Sequence, residues 1–167
     1  METADVSFKV GRRVIYAHKS ILKAMTPELY ELATHFDKDN RMPIKGVDPE
    51  IFTLMLKYVN GRAILPTDWT EHSKQILEAS GKYGFGPLKV EAEAWHTKQL
   101  KLTVDNAVDE LLYADGTLCL GLKKAVMDFI VNNGKSVIAS PSFAKLKEST
   151  ELMTEVMLEL AESNESR

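Results

Sequence analysis

The sequence predicts an α+β fold in which a small mixed sheet is flanked by paired helices and followed by a helical extension. Residues 6–10 alternate apolar and polar side chains, which is the period of a strand with one buried face. A capping residue directly before a proline predicts a helix start at Thr26-Pro27 and again at Asp48-Pro49. After Thr103, two apolar helical faces follow one another across a break at Asp115-Gly116, which predicts a helix pair.

The first element is predicted to be a β-hairpin that leads directly into a helix. Gly11 supplies the turn, and Val14-Ile15-Tyr16 forms a second strand rich in β-branched and aromatic residues. From Ala17 onward, the apolar residues take up helical spacing. The apolar stripe of this helix consists of Ile21, Leu22 and Met25.

Further along, short helices are predicted on either side of one short strand. The helix that begins at Pro27 is followed by a polar loop over residues 35–41. Met42-Pro43-Ile44 predicts a strand at the edge of the sheet, because its proline has no N–H to donate to a neighbouring strand. The helix after Asp48-Pro49 is strongly amphipathic. Its apolar residues at helical spacing are Phe52, Met55, Leu56 and Val59.

Two more helices complete the predicted domain. One covers residues 71–83, after a short extended segment at residues 63–66. Gly84-Phe85-Gly86-Pro87 then breaks the chain, and a further helix runs from Pro87 to about Leu100. The residues predicted to pack this last helix against the domain are Leu88, Val90, Ala94 and Trp95.

The extension is predicted to contain the helix pair, a short helical turn that opens at Ser140-Pro141, and a final helix capped by Thr150. The final helix has two interpretations, since it either binds a partner or packs back on the preceding helices, and ordinary bundle packing favours the second. We therefore predict a domain over residues 4–101, an extension over residues 102–162 and a frayed tail over residues 163–167.

The composition excludes several functional classes. The 167 residues carry a formal net charge of −3, without the concentrated basic stretch that nucleic acids require. Cys119 is the only cysteine, so the sequence offers neither an internal disulfide nor a cysteine metal site. Residues 1–5 do not resemble a signal peptide, and no apolar run approaches the ~20 residues that span a bilayer. We therefore expect an intracellular protein of the cytoplasm, the nucleus or both, with no membrane partner.

The motifs, taken in order, also carry a family resemblance. The opening Asp5-Val6, followed after the hairpin by Ala17-His18-Lys19-Ser20-Ile21-Leu22, resembles the start of the BTB/POZ domain. Val47-Asp48-Pro49-Glu50-Ile51-Phe52 and the segment over residues 79–89 are similar to later motifs of that domain. Leu102-Thr103-Val104-Asp105-Asn106-Ala107 resembles the start of the BACK-like helices that follow this domain in speckle-type POZ proteins.

The resemblance implies a protein-interaction module that catalyses no reaction. Members of the family commonly form homodimers or pair with other BTB proteins, and many bind cullin-3 as substrate adaptors of a ubiquitin ligase. The first hypothesis is therefore a homodimerising adaptor that resembles the cullin-3 substrate receptors. We expect no catalytic residue, metal, cofactor, nucleic acid or small-molecule substrate.

The resemblance also implies two sets of contact residues. Those of the dimer interface are Asp5, Lys19, Ile21 and Met25. Those of a cullin-3 contact are His35, Phe36, Asp37, Asn60, Val108 and Leu112. Asp5 and Lys19 form either a charged pair at a dimer seam or an ion pair that only orients the hairpin on the helix. Ile21 and Met25 belong either to the core or to the dimer surface.

Departures from the family pattern keep a second hypothesis open. The chain begins at the hairpin, without the additional helix and strand that many members exchange across the dimer. Its loop motif is Phe36-Asp37-Lys38, without the glutamate that usually contributes to cullin-3 binding, and Val59-Asn60-Gly61 stands in place of Tyr-Thr-Gly. The second hypothesis is a dimerisation or scaffold subunit with no ubiquitin role, which pairs with or titrates full-length BTB relatives.

Overall fold

The computed structural model describes residues 3–165, with the side chains described through Ser163. The first part of the chain contains β1 (Val6–Val10), β2 (Arg13–Ala17), α1 (Lys19–Met25), α2 (Pro27–Ala33), β3 (Met42–Ile44), α3 (Pro49–Val59), α4 (Pro66–Lys82) and α5 (Gly86–Gln99). The remainder contains α6 (Ala107–Gly116), α7 (Leu120–Asn132), α8 (Gly134–Ile138), a 3-10 helix (Pro141–Glu148) and α9 (Thr150–Glu165). A small mixed sheet with many helices confirms the predicted fold class.

The chain divides into two compact units, and the division falls inside α5, between His96 and Thr97. This position precedes the boundary predicted after residue 101, which stays a prediction. Each unit contains its own set of buried apolar side chains. None of the described helices combines the length and the apolar character needed to cross a membrane.

Strand β1 is the middle strand of the sheet, in the order β2-β1-β3. It runs antiparallel to β2, with Phe8 opposite Ile15, and parallel to β3, with Val10 opposite Ile44. Strand β3 lies at an edge, as its proline predicts. The hairpin turn places Gly11 in the left-handed region at φ +58°, which glycine adopts without steric cost.

Aromatic rings join this sheet to the helices of the first unit. Phe8 and Phe52 are fully buried, with ring centroids 5.2 Å apart in an edge-to-face arrangement. The ring of Tyr83 meets Phe52 in the same way, at 6.1 Å. The Tyr83 hydroxyl donates to the carbonyl oxygen of Lys45 at 3.1 Å, so the ring is buried while its polar group has a partner.

Helices α1 and α4 do not begin where they were predicted to. Ala17 belongs to β2, and α1 begins at Lys19. Helix α4 begins earlier than predicted, at Pro66, because a proline in the first turn is preorganised for a helix and the first turns bury Trp69. The ring of Trp69 is stacked on that of Trp95, with the centroids 6.0 Å apart.

The capping residues predicted before Pro27 and before Pro49 behave differently. Asp48 caps α3 as predicted, since its Oδ1 accepts the N–H of Glu50 at 2.7 Å. Thr26 precedes α2 as predicted, but its buried hydroxyl donates to the carbonyl oxygen of Tyr83 at 3.2 Å instead of capping the helix. The Thr26 hydroxyl therefore bonds to a residue distant in sequence instead of to an N–H group in the first turn of α2.

Helix α5 buries a different face from the one predicted. Val90 and Ala94 are exposed, whereas Leu88 and Ala92 are buried and Trp95 is half-buried. The three covered residues follow the helical spacing i, i+4, i+7, and Val90 lies on the other side of the helix.

The segment from Thr103 to Asn106 forms a turn rather than the start of the predicted helix. Asn106 Oδ1 accepts the N–H of Thr103 at 2.8 Å, and Thr103 Oγ1 accepts the N–H of Asn106 at 3.3 Å. Helix α6 then begins at Ala107. Helix α8 was not predicted, because its five residues are too few to display a helical period.

Lys123 joins three helices of the second unit. Its ammonium donates to Asp115 on α6 at 2.8 Å and to Glu155 on α9 at 2.7 Å. The hydrogen bond to Asp115, followed by that to Glu155, raises the pKa of Lys123 above its ordinary value. The buried stripe of α9 consists of Leu152, Val156 and Leu160, which supports packing back as the interpretation of this helix. Helix α9 continues through Glu165, and residues 166–167 of the predicted tail lie outside the described residues.

We expect Gly84→Ala to destabilise the protein more than Gly61→Ala. Both glycines have positive φ, at +70° and +74°, so both substitutions carry the same backbone strain. A Cβ on Gly84 would lie 2.6 Å from the Cβ of Glu28, whereas a Cβ on Gly61 meets nothing within 4 Å. Urea denaturation should show a free energy of unfolding about 1–3 kcal/mol lower for Gly84→Ala than for Gly61→Ala. Equal losses would contradict the close approach of Glu28.

Candidate protein-interaction surfaces

Helix α1 separates a buried side from an exposed apolar side. Leu22 is 1% exposed and belongs to the core. Ile21 is half-buried, and Met25 is 41% exposed on the same flank of the helix. Leu32 on the neighbouring α2 is 53% exposed. Of the predicted dimer residues, Ile21 and Met25 therefore keep apolar surface that a partner can cover, and their dimer role stays a prediction.

In the described part of the chain, the side chains of Asp5 and Lys19 do not form the predicted charged pair. Asp5 is exposed, and its Oδ1 accepts the backbone N–H of Lys19 at 2.7 Å. The Lys19 ammonium donates instead to the carbonyl oxygen of Thr34, at 3.4 Å. The first N–H groups of a helix lack intrahelical partners, so a carboxylate beside them forms a cap. Asp5 thus orients the hairpin on α1 through a main-chain contact.

A groove of about 420 Å³ adjoins the exposed end of α1. Met25 and Ile64 contribute apolar walls, and Tyr58, Arg62 and Glu91 contribute polar groups. Burial, and then the charge of Glu91 and its hydrogen bond, raise the pKa of the Tyr58 phenol above its ordinary value. The lining mixes apolar and charged groups without a catalytic arrangement such as a nucleophile beside a base.

The loop over residues 35–41, which we call the contact loop, is ordered by one carboxylate. Asp37 Oδ1 accepts the N–H of Asp39 at 2.8 Å and the N–H of Asn40 at 2.7 Å. The N–H of Asp37 also donates to the carbonyl oxygen of Asn40 at 3.2 Å. Hydrogen bonds from the backbone of Asn40 and then of Asp39 hold the pKa of Asp37 below its ordinary value of 3.8. The carboxylate of Asp37, a predicted contact residue, therefore binds main-chain groups of its own loop.

Ser7 anchors the contact loop to β1. Its side chain is fully buried, its N–H donates to the carbonyl oxygen of Asp37 at 3.2 Å, and its hydroxyl donates to that of Lys38 at 3.0 Å. Sequence reasoning missed Ser7, because a serine at an outward position of a strand normally faces water. A polar residue between two buried strand positions was the only pattern that could have drawn attention to it.

The other predicted cullin-contact residues lie on several elements. His35 is exposed and Phe36 is half-buried in the contact loop. Asn60 is exposed at the end of α3, where its Nδ2 donates to the carbonyl oxygen of Leu56 at 2.6 Å. In the second unit, Leu112 is half-buried.

The structure contradicts the prediction that Val108 is a contact residue. Its side chain on α6 is fully buried in the described chain, so it has no surface for a partner. The sequence pattern placed Val108 on the apolar face of a helix, and that face forms core.

Residues that could bind a metal do not come together in the described part of the chain. No group of three or more histidine, cysteine, aspartate or glutamate side chains is placed to hold an ion there. Cys119 is buried, and the hydroxyl of Thr117 donates to its sulfur at 3.2 Å.

The three-stranded sheet, its paired helices and the exposed apolar flank of α1 define a protein-interaction module. A model of the BTB/POZ domain matches residues 1–100, and the chain belongs to this family. BTB domains self-associate and bind other BTB proteins. The chain is also similar to Protein maternal effect lethal 26 of Caenorhabditis elegans, with 26% identity over 162 residues, 93% of this chain and 40% of that protein. The chain thus spans about two fifths of the length of that relative.

We expect the Asp37 carboxyl to titrate below its ordinary pKa of 3.8, because the ionised form accepts two backbone N–H groups. A depressed pKa in the folded state means that the charge orders the loop above pH 3.8 and that this contribution is lost as the pH falls. NMR titration of the Asp37 side-chain carboxyl carbon should show the low midpoint, together with shifts of the Asp39 and Asn40 amide protons. In Asp37→Ala those amide shifts should disappear, and a midpoint at or above 3.8 would contradict the loop geometry.

Proposed function

We propose that this chain is a homodimerising adaptor that binds cullin-3 through the contact loop. Membership of the BTB/POZ family supports a role in protein interaction and dimerisation. The observation that carries the proposal is the ordered contact loop, which holds the half-buried Phe36 at the surface. A preorganised loop loses little conformational entropy on binding, which favours affinity.

The dimer part of the proposal rests on the flank of α1. Ile21 and Met25 lie one helical turn apart on the side of α1 next to Leu22, and exposed Leu32 on α2 adds apolar surface. A stable dimer interface buries about 1,600 Å² in total. The flank of α1 would therefore form the centre of the interface, and further residues would have to supply the remaining area. Asp5 supports the same surface by fixing the hairpin to the start of α1.

We expect Ile21→Asp combined with Met25→Asp to convert the dimer to a monomer, because both substitutions place charge in a desolvated interface. Size-exclusion chromatography with light scattering should show the mass halved. Ser20→Asp is the matched control, since Ser20 is exposed on the same helix and points away from the core. The control should keep the dimer mass. If the doubly substituted protein remains a dimer, α1 does not belong to the interface.

The cullin-3 part of the proposal rests on a short chain of contacts. Ser7 on β1 binds the carbonyl groups of Asp37 and Lys38, and Asp37 closes the turn onto Asn40. Phe36 immediately precedes this turn in the sequence, and its side chain is half-buried. An apolar ring on an ordered loop is the kind of anchor that fills a pocket on a partner.

We expect the cullin-3 N-terminal region to bind the chain with a dissociation constant in the low micromolar range or tighter. Phe36→Ala should weaken that binding by about tenfold or more, as loss of an aromatic anchor does. Isothermal titration calorimetry on both proteins, with thermal unfolding to show that the variant is folded, measures this. Leu65→Ala is the control, because Leu65 is 60% exposed and lies outside the contact loop. Absence of binding at high micromolar concentration would refute the adaptor role.

The alternative is a dimerisation or scaffold subunit with no ubiquitin role. The observation that favours it is the contact loop itself, which has no glutamate after Phe36 and turns the carboxylate of Asp37 toward the N–H groups of Asp39 and Asn40. The calorimetry and the light scattering separate the two functions. A dimer that does not bind cullin-3 supports the scaffold role.

A further inference from the structure

The end of the sheet at the hairpin turn is basic. Val10, the last residue of β1, lies opposite Arg13 on β2 and opposite Ile44 on β3. Residues next to these positions therefore lie at the same end of the sheet, although the sequence distributes them over two segments. The exposed basic residues at this end, which we call the hairpin-tip surface, are Lys9, Arg12, Arg13 and Lys45, with Lys9 and Arg13 on opposite faces of the sheet because strand side chains alternate.

The hairpin-tip surface has no ion-pair partner among the described residues. The start of α3 lies beside the turn, where Cγ of Pro49 is 3.5 Å from the position of a Cβ on Gly11. Asp48 there is engaged as a helix cap, and Glu50 is exposed. Lys82 adds a further cation, since its ammonium donates to the carbonyl oxygen of Lys45. Glu78 lines a cavity together with Gly46 and Lys82, so the acidic residues beside these basic ones are Asp48, Glu50 and Glu78, on a chain whose net charge is −3.

A free strand edge lies beside the hairpin-tip surface. Strand β2 has β1 as its sheet neighbour and no second one in residues 3–165. Its outer N–H and C=O groups can pair with an added strand, which is a common mode of peptide recognition. Its central residues, Val14, Ile15 and Tyr16, are half-buried and give the edge apolar surface.

We propose that the hairpin-tip surface and the edge of β2 bind an acidic, extended segment of a partner protein. The main chain of such a segment pairs with β2, and its carboxylates lie against Arg12 and Arg13. The exposed arginines and the free strand edge are independent observations that favour the same occupant. A nucleic acid fits less well, because it offers no peptide groups to β2 and its phosphates require a longer basic surface. This interaction uses neither the contact loop nor the flank of α1, so it is separate from the proposed cullin-3 and dimer contacts.

The test uses the full chain and a fluorescent peptide of alternating glutamate and valine, with binding followed by fluorescence anisotropy at low salt. We expect saturable binding that Arg12→Glu combined with Arg13→Glu weakens by about tenfold or more, since several charge contacts reverse sign. Lys57→Glu combined with Arg62→Glu is the matched control, because both residues are exposed in the first unit and the change in net charge is the same. The control should retain affinity within about threefold. Circular dichroism on both variants establishes that they are folded.

A second peptide separates strand pairing from simple charge attraction. Methylation of its valine nitrogens keeps every carboxylate but removes main-chain donors, and we expect it to bind about tenfold more weakly. The proposal is overturned if the folded protein does not bind the acidic peptide, if the control variant weakens binding as much, or if methylation has no effect. It is also overturned if an oligothymidylate or anionic phospholipid vesicles bind more tightly than the peptide and lose binding with the same arginine substitutions.

Discussion

Strand β1 is buried in the middle of the sheet, and the other elements of the first unit depend on its register. Both of its edges are occupied, by β2 on one side and β3 on the other. Val6, Phe8 and Val10 face the core, and the ring of Phe8 contacts Phe52 on α3. A shift of one residue along β1 would turn this whole apolar set outward, so burial fixes the register strongly.

The same strand positions two surfaces of different chemistry. Ser7 binds the main chain of the contact loop, and the hairpin register brings Arg13 to the end of β1 opposite Val10. The contact loop presents an aromatic side chain on an ordered turn, whereas the hairpin tip presents positive charge that has no ion-pair partner in residues 3–165. Because both surfaces are attached to one rigid strand, a partner at either surface meets a preformed arrangement.

The second unit is organised by charge as well as by apolar packing. Lys123 is hydrogen-bonded to Asp115 and Glu155, so a single ammonium links α7 to α6 and α9. A pair of opposite charges contributes little at an exposed site and more where its members are partly buried and share hydrogen bonds. The full burial of Val108 in this unit explains why an apolar helical face proved to be core instead of a contact surface.

Local patterns in the sequence determined the fold class, the hairpin, the capped start of α3 and the family. These features depend on strand alternation and on the contact of Asp48 with its own helix, which are set by neighbours along the chain. Only the tertiary structure decided the roles of Ser7, Asp5 and Arg13. The partners of Ser7 lie in a loop about thirty residues away, and Asp5 binds a main-chain N–H instead of the predicted side chain. Arg13 and Lys45 lie at the same end of the sheet only through the register of β1. Hydrogen bonds and charges between distant segments depend on how the strands align, and that alignment is a property of the packed core rather than of any short stretch of sequence.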